Sequence, residues 1–80
     1  MIALVVIPVG IDTEVEVYTF QKWERAVDYM RDMFYEDMSN EFSFKLNKND
    51  TWIDLESGEA KLCYTDGSYY MYTITYVSKK

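Results

Sequence analysis

The sequence predicts an α+β fold in two layers, one amphipathic helix packed on an antiparallel sheet, in the order ββα followed by a β-meander. Three observations predict it. A continuously apolar, β-branched run, Ile2 to Ile7, opens the chain. One stretch of helical periodicity follows from Gln21 to about Met38, with no glycine or proline inside it. Beyond it, apolar and polar residues alternate in short segments separated by turn signals, the pattern of paired strands.

Each element has its own justification. Ile2-Ala-Leu-Val-Val-Ile7 suits a strand covered on both faces or lying centrally in its sheet. Pro8 and Gly10 are expected to end it, and Ile11 to Thr13 complete a loop. In Glu14 to Phe20, Val15 and Val17 alternate with Glu14 and Glu16, so this is a half-buried strand forming a hairpin with the first. On the helix, Trp23, Ala26, Val27, Met30, Phe34 and Met38 form one apolar stripe, widened by Met33. Thr19 is the expected N-cap and Ser39-Asn40 the stop. Phe42, Phe44 and Leu46 alternate with Ser43, Lys45 and Asn47 as a further strand, aromatic side inward, before a turn at residues 47–50. Thr51 to Glu56 and Glu59 to Tyr64 are strands joined at Ser57-Gly58. Asp66-Gly67 is a hairpin signal leading into Ser68 to Val77. There, Tyr70, Tyr72, Ile74 and Tyr76 share one face and Met71, Thr73, Thr75 and Val77 the other.

Composition narrows function by exclusion. Eighty residues make one domain, 1–80, and 49% hydrophobic content is enough to fold it. Fourteen acids against eight bases leave a charge of -6, which argues against direct binding of nucleic acid or of an anionic membrane. Histidine is absent and cysteine occurs once, so histidine-based triads, histidine-ligated zinc and an internal disulfide are excluded. The core alone must hold the fold, as in a reducing cytoplasm. Met1 directly before the first strand is read as the natural start of the chain. The run after it is too short to cross a bilayer and lacks the basic flank and cleavage site of a secretion signal.

No cofactor is expected, and no metal. An EF-hand counted from Asn47 would need glycine and glutamate where Trp52 and Gly58 stand, so Asn47, Asn49, Asp50, Asp54 and Glu56 are read as turn and outer-strand residues. Single glycines at 10, 58 and 67 make no phosphate-cradling loop. Cys63 has no histidine to activate it and is read as buried or half-buried, not as a nucleophile. Trp23 and Trp52 are read as core anchors. The chain is expected not to be an enzyme.

The most informative feature is a row of acids on the helix, Glu24, Asp28, Asp32 and Glu36, each four residues after the last. Every step of four advances only about 40° around the helix and about 6 Å along it. Like charges at that spacing repel by a few tenths of a kcal/mol per pair. Acids late in the helix, Glu36 and Asp37, also oppose its dipole. Helix stability alone does not ask for such a row, which makes it a candidate for function. Residues 1–40 hold eight acids and three bases, residues 41–80 six and five, so the negative field sits on the first hairpin and the helix. Asp12, Glu14 and Glu16 extend the patch if the hairpin edge adjoins the helix, with Tyr29 and Tyr35 as flanking aromatic contacts. A rigid row of carboxylates imitates a phosphate backbone to a cationic groove. Without a partner, the same row is a solvated face softened by Arg25 and Arg31.

Eight tyrosines in 80 residues are a second signal. Alternation places Tyr69 and Tyr70 on opposite faces, so part of this aromatic surface is expected to be exposed and suited to a partner.

Phe20-Gln-Lys-Trp-Glu-Arg-Ala26, a strand ending in an aromatic residue with an acidic helix directly after it, resembles a phrase of short phage and mobile-element proteins. With its length, acidity and the meander after the helix, the whole chain resembles small acidic phage-encoded anti-CRISPR and anti-restriction inhibitors. The resemblance implies a DNA mimic in the cytoplasm of a bacterial host. Its partner would be a basic nucleic-acid-binding protein such as a CRISPR effector or a restriction nuclease. Two other readings remain open at this point. One is an assembly module that forms a homodimer or docks through its Tyr-rich sheet, pairing along an exposed edge at Ser68 to Val77. The other is an immunity protein or antitoxin that neutralises a basic toxin.

Overall fold

The structure, a computed structural model, describes residues 1–40 and 45–77. Its elements are β1 (Ile2–Val9), β2 (Glu16–Phe20), α1 (Trp23–Met38), β3 (Trp52–Asp54), β4 (Glu59–Cys63) and β5 (Tyr69–Tyr76). The strands form one antiparallel sheet in the order β2-β1-β5-β4-β3, and α1 packs on one of its faces. This is the expected α+β architecture. The expected strand around Phe42 and Phe44 lies outside the described residues; Leu46, at its end, bridges Tyr64.

β1 is central, as its apolar run suggests, but it continues through Pro8 to Val9. The hydrogen bonding explains how a proline is tolerated there. Val77 N–H donates to the Met1 carbonyl, so the odd-numbered backbone groups of β1 face β5 and the even-numbered ones face β2. Pairing with β2 stops at Val6 opposite Glu16, so the N–H that Pro8 lacks would have met no strand. Gly10, at a φ of 73°, then turns the chain.

Thr19 does not cap the helix, because it lies within β2 opposite Ala3. The N-cap is Lys22, in extended conformation and without a side-chain cap hydrogen bond. At the other end the expected stop holds. Ser39 N–H reaches the Tyr35 and Glu36 carbonyls, and its hydroxyl donates to Tyr35 O at 2.9 Å. β3 is shorter than expected, because Asp54 Oδ1 accepts from the Glu56 and Ser57 amides and turns the chain early.

Strand β5 is not an edge. It pairs with β1 over eight residues and with β4 over five, so edge-to-edge dimerisation through Ser68 to Val77 is ruled out; the edges are β2 and β3. The reason is that β1 needs a neighbour on both sides, and only β5 matches its length.

The core lies between α1 and the sheet. Leu4, Met30, Leu62 and Tyr72 are fully buried, with Phe34, Ala26, Val6, Ala60 and Ile74 around them. Each large apolar side chain so buried stabilises by about 1.5–3 kcal/mol relative to exposure. Trp23 joins this core and stacks on Tyr76 at 5.3 Å. Gly58 makes room for it: at a φ of 74°, a Cβ there would stand 2.9 Å from the Trp23 ring. Trp52 is not a core anchor. It is 43% exposed, because it alternates with Ile53, which takes the inward position on β3. No helix among the described residues is long and apolar enough to cross a membrane.

Candidate functional site

All four acids of the helical row are exposed. They do not act as one unit. The drift of about 40° per step leaves Asp28 at a depression beside the helix start and carries Asp32 and Glu36 toward the hairpin, while Glu24 lines neither. At the hairpin, Asp32 and Glu36 meet Glu14 and Glu16 across a cleft of about 420 Å³. Its remaining wall and floor are Val6, Thr13, Tyr29, Met33, Asp37 and Tyr70. Among the described residues, five carboxylates thus line one depression, with no lysine or arginine beside them.

The hairpin holds its side of the cleft through aromatic packing. Tyr29 of α1 packs on Tyr18 at 4.9 Å and on Phe20 at 5.5 Å between ring centroids. These contacts pin β2 beside the helix and so fix the spacing between the two groups of acids. The Tyr18 hydroxyl donates to Glu16 Oε2 at 2.7 Å. That hydrogen bond, then desolvation and the Glu16 charge, push the Tyr18 phenol up to about 12.

The row is partly neutralised from within, at Asp28 and at the cleft residue Asp32. Arg31 reaches Asp28 Oδ1 and Asp32 Oδ1, each at 3.4 Å. Both contacts are exposed and worth well under 1 kcal/mol, but they place one cation between the two middle carboxylates. Arg25 makes no ion pair among the described residues and lies with Asp28 and Asp32 at a shallower depression near the helix start. The two predicted aromatic flanks separate. Tyr29 borders the acidic cleft, whereas Tyr35 packs edge-on against Phe34 and faces a groove with Met38, Thr51 and Ile53. Asp12 is exposed in the β1–β2 loop and does not line the cleft.

Asp37 is the residue that the row of four overlooks. It is half-buried, and its carboxylate accepts a hydrogen bond from the Tyr72 hydroxyl at 2.5 Å. Burial raises its carboxyl above the ordinary value; the Tyr72 hydrogen bond opposes that, and Glu36 and Glu16 add to it by repulsion. Burial and the same carboxylate also raise the Tyr72 phenol strongly. The signal for Asp37 was its spacing, three after Phe34 and four after Met33, which puts an acid on the apolar stripe.

The other polar clusters serve the fold. Asn47 Nδ2 donates to Asp50 Oδ2 at 2.9 Å, and Thr51 Oγ1 links the Asn47 carbonyl to the Cys63 amide. Cys63 is buried, and its thiol donates to the Asp50 carbonyl at 3.4 Å. Among the described residues, no three side chains of metal-ligating type converge on one point. The five acids therefore form an electrostatic surface, spread over two elements.

Compared with protein families, curated proteins and solved structures, the chain matches none of them.

Proposed function

We propose that this chain is a phage-type inhibitor, not an enzyme, that occupies the basic nucleic-acid-binding surface of a host defence protein such as a CRISPR effector or a restriction nuclease. One observation carries the reading: acids from the helix and from the hairpin converge on one cleft, and no lysine or arginine lines it among the described residues. Their separation is held by the Tyr18–Tyr29–Phe20 packing, so a cationic groove meets charges that need no ordering on binding. Glu14, Glu16, Asp32 and Glu36 are the principal contacts; Tyr29 supplies aromatic area beside them. Glu24 and Asp28 extend the field along the helix, and Asp12 adds charge at the loop. Arg31 limits the charge that the middle of the row can offer. The partner's lysines and arginines would then be engaged as they are by phosphates, without direct binding of nucleic acid by this chain.

The test is inhibition of DNA cleavage by purified CRISPR effectors and restriction nucleases. The expected result is inhibition that DNA competes away and that weakens as salt rises from about 0.1 to 0.5 M. Joint replacement Glu14→Gln, Glu16→Gln, Asp32→Asn and Glu36→Gln is expected to weaken it roughly hundredfold, from several contacts of about 0.5–1 kcal/mol each. Equal inhibition by the neutralised chain, with its circular dichroism unchanged, would exclude the cleft as the binding surface.

A further inference from the structure

The face of the sheet opposite α1 carries no helix and no second sheet among the described residues. It carries large apolar side chains beside Thr19, Thr73 and Thr75 and, at its far side, Glu59 and Asp54. Ile7 is 40% exposed, Val17 59% and Trp52 43%. Strand register joins them into two ladders: Val17–Val5–Thr73 runs across β2, β1 and β5, and Ile7–Met71–Lys61–Trp52 runs across β1, β5, β4 and β3. Lys61 lays its ammonium over the Tyr69 ring at 4.4 Å, so the cation within the second ladder is itself folded onto aromatic surface. A large exposed apolar patch on a small domain marks an interaction surface.

Charge and area select the occupant. Among the described residues this face carries Lys61 against Glu59 and Asp54, one cation to two acids, whereas the stronger negative field lies with the helix and the hairpin acids. A cationic partner has little to engage here. A second copy offers an apolar surface complementary to itself. From about 4.8 Å between strands and about 3.3 Å per residue, the face covers about 500 Å² per copy, or about 1,000 Å² in a pair. That lies at the lower end of specific interfaces.

Repulsion between two chains of charge -6 does not prevent this arrangement. Sheets stack about 10 Å apart and each helix layer adds about 10 Å, so the two helices stand about 30 Å apart. That is nearly four screening lengths at physiological salt, at about 8 Å each. Pairing along the β2 edge would instead bring Glu14 and Glu16 of both copies together. We propose that the chain forms a two-fold dimer by packing its outer sheet face, centred on Ile7, Val17 and Met71, against the same face of a second copy. The dimer presents two acidic clefts pointing apart. It stands whether or not those clefts bind a basic partner.

Analytical ultracentrifugation from about 1 to about 500 µM tests this, a range chosen for the micromolar dissociation expected of so small an interface. The mass is expected to double across it and to be held or favoured by added salt. Ile7→Lys with Val17→Lys is expected to raise the dissociation constant at least about hundredfold. In the wild-type chain, concentration should shift the methyl resonances of Val5, Ile7, Val17 and Met71 while leaving that of Ala26 in place, a reading that needs no variant to fold. A monomer at every concentration overturns the proposal. So does a dimer dissolved by salt, or one whose concentration-dependent shifts fall on the helix or along β2 alone.

Discussion

The two faces of the sheet are built from alternate residues of the same strands, with different outcomes. On one side Leu4, Leu62 and Tyr72 lie fully buried beneath α1. Their sequence neighbours Val5, Lys61 and Met71 point the other way, among Ile7, Val17 and Trp52, which stay 40–59% exposed. β1 is apolar on both sides, yet among the described residues a helix covers only one of them. Apolar content in a strand therefore reports a demand for cover, and the helix meets it on a single face. Stability is concentrated on that face, and association is assigned to the other.

Large side chains of the covered face give the sharpest way to break this contrast. Phe34→Ala is expected to cost about 3–5 kcal/mol, because it empties a site 2% exposed between α1 and the sheet. Val17→Thr, on the open face, is expected to stay within about 0.5 kcal/mol in dilute solution. Urea denaturation of both variants measures the difference, and equal losses would refute the assignment of the core to one face.

Two glycines sharpen it next. Gly58→Ala meets both a positive φ and the Trp23 and Ile74 side chains, at 2.9 and 3.0 Å, and is expected to cost about 2–3 kcal/mol. Gly67→Ala has a φ of 90° but nothing within 4 Å, so about 1 kcal/mol of backbone strain is expected. Thermal melting of the pair separates crowding under the helix from conformational strain alone.

A further effect, dependent on pH, lies where Asp37 meets the covered face. Tyr72→Phe removes the hydrogen bond to Asp37 and is expected to cost about 1–2 kcal/mol at neutral pH. The folded chain holds the Asp37 proton more tightly than the unfolded chain does. Stability from this group is therefore complete below the ordinary carboxylate value and is lost as pH rises through the raised one. Asp37→Asn should abolish that decline, and Tyr72→Phe should extend it to higher pH, since the hydroxyl normally pulls the value down. Urea midpoints at steps between about pH 4 and 7 read both. A decline that persists unchanged in Asp37→Asn would assign it to other carboxylates.

Much of this was legible along the chain, and the exceptions have physical causes. Hydrophobic period identified α1 and the strands flanking it, since burying a stripe or an alternating face leaves a local trace. Around β2 it pointed to the wrong face: Val15 and Val17 are 55% and 59% exposed, and Tyr18 and Phe20 take the helix side. The central place of β1 followed from its unbroken apolar run. Thr19 misled because capping residues also serve in strands, and its pairing with Ala3 took precedence. Pro8 misled because its cost depends on which side of the strand lacks a partner. The acids Glu14, Glu16, Asp32 and Glu36 were each legible; their meeting in one cleft depended on where Tyr29 seats β2.

By itself, then, the order of residues determined the type and sequence of the elements, the inward stripe of the helix and the sign of the charge, because these depend on neighbours within a few positions. Tertiary structure decided that β5 is central, that Tyr35 leaves the acidic site while Asp37 enters it, and that Val15 and Val17 of the hairpin stay exposed on a sheet face that no helix among the described residues covers. Those outcomes depend on contacts between residues far apart in the chain, whose pairing no local pattern records.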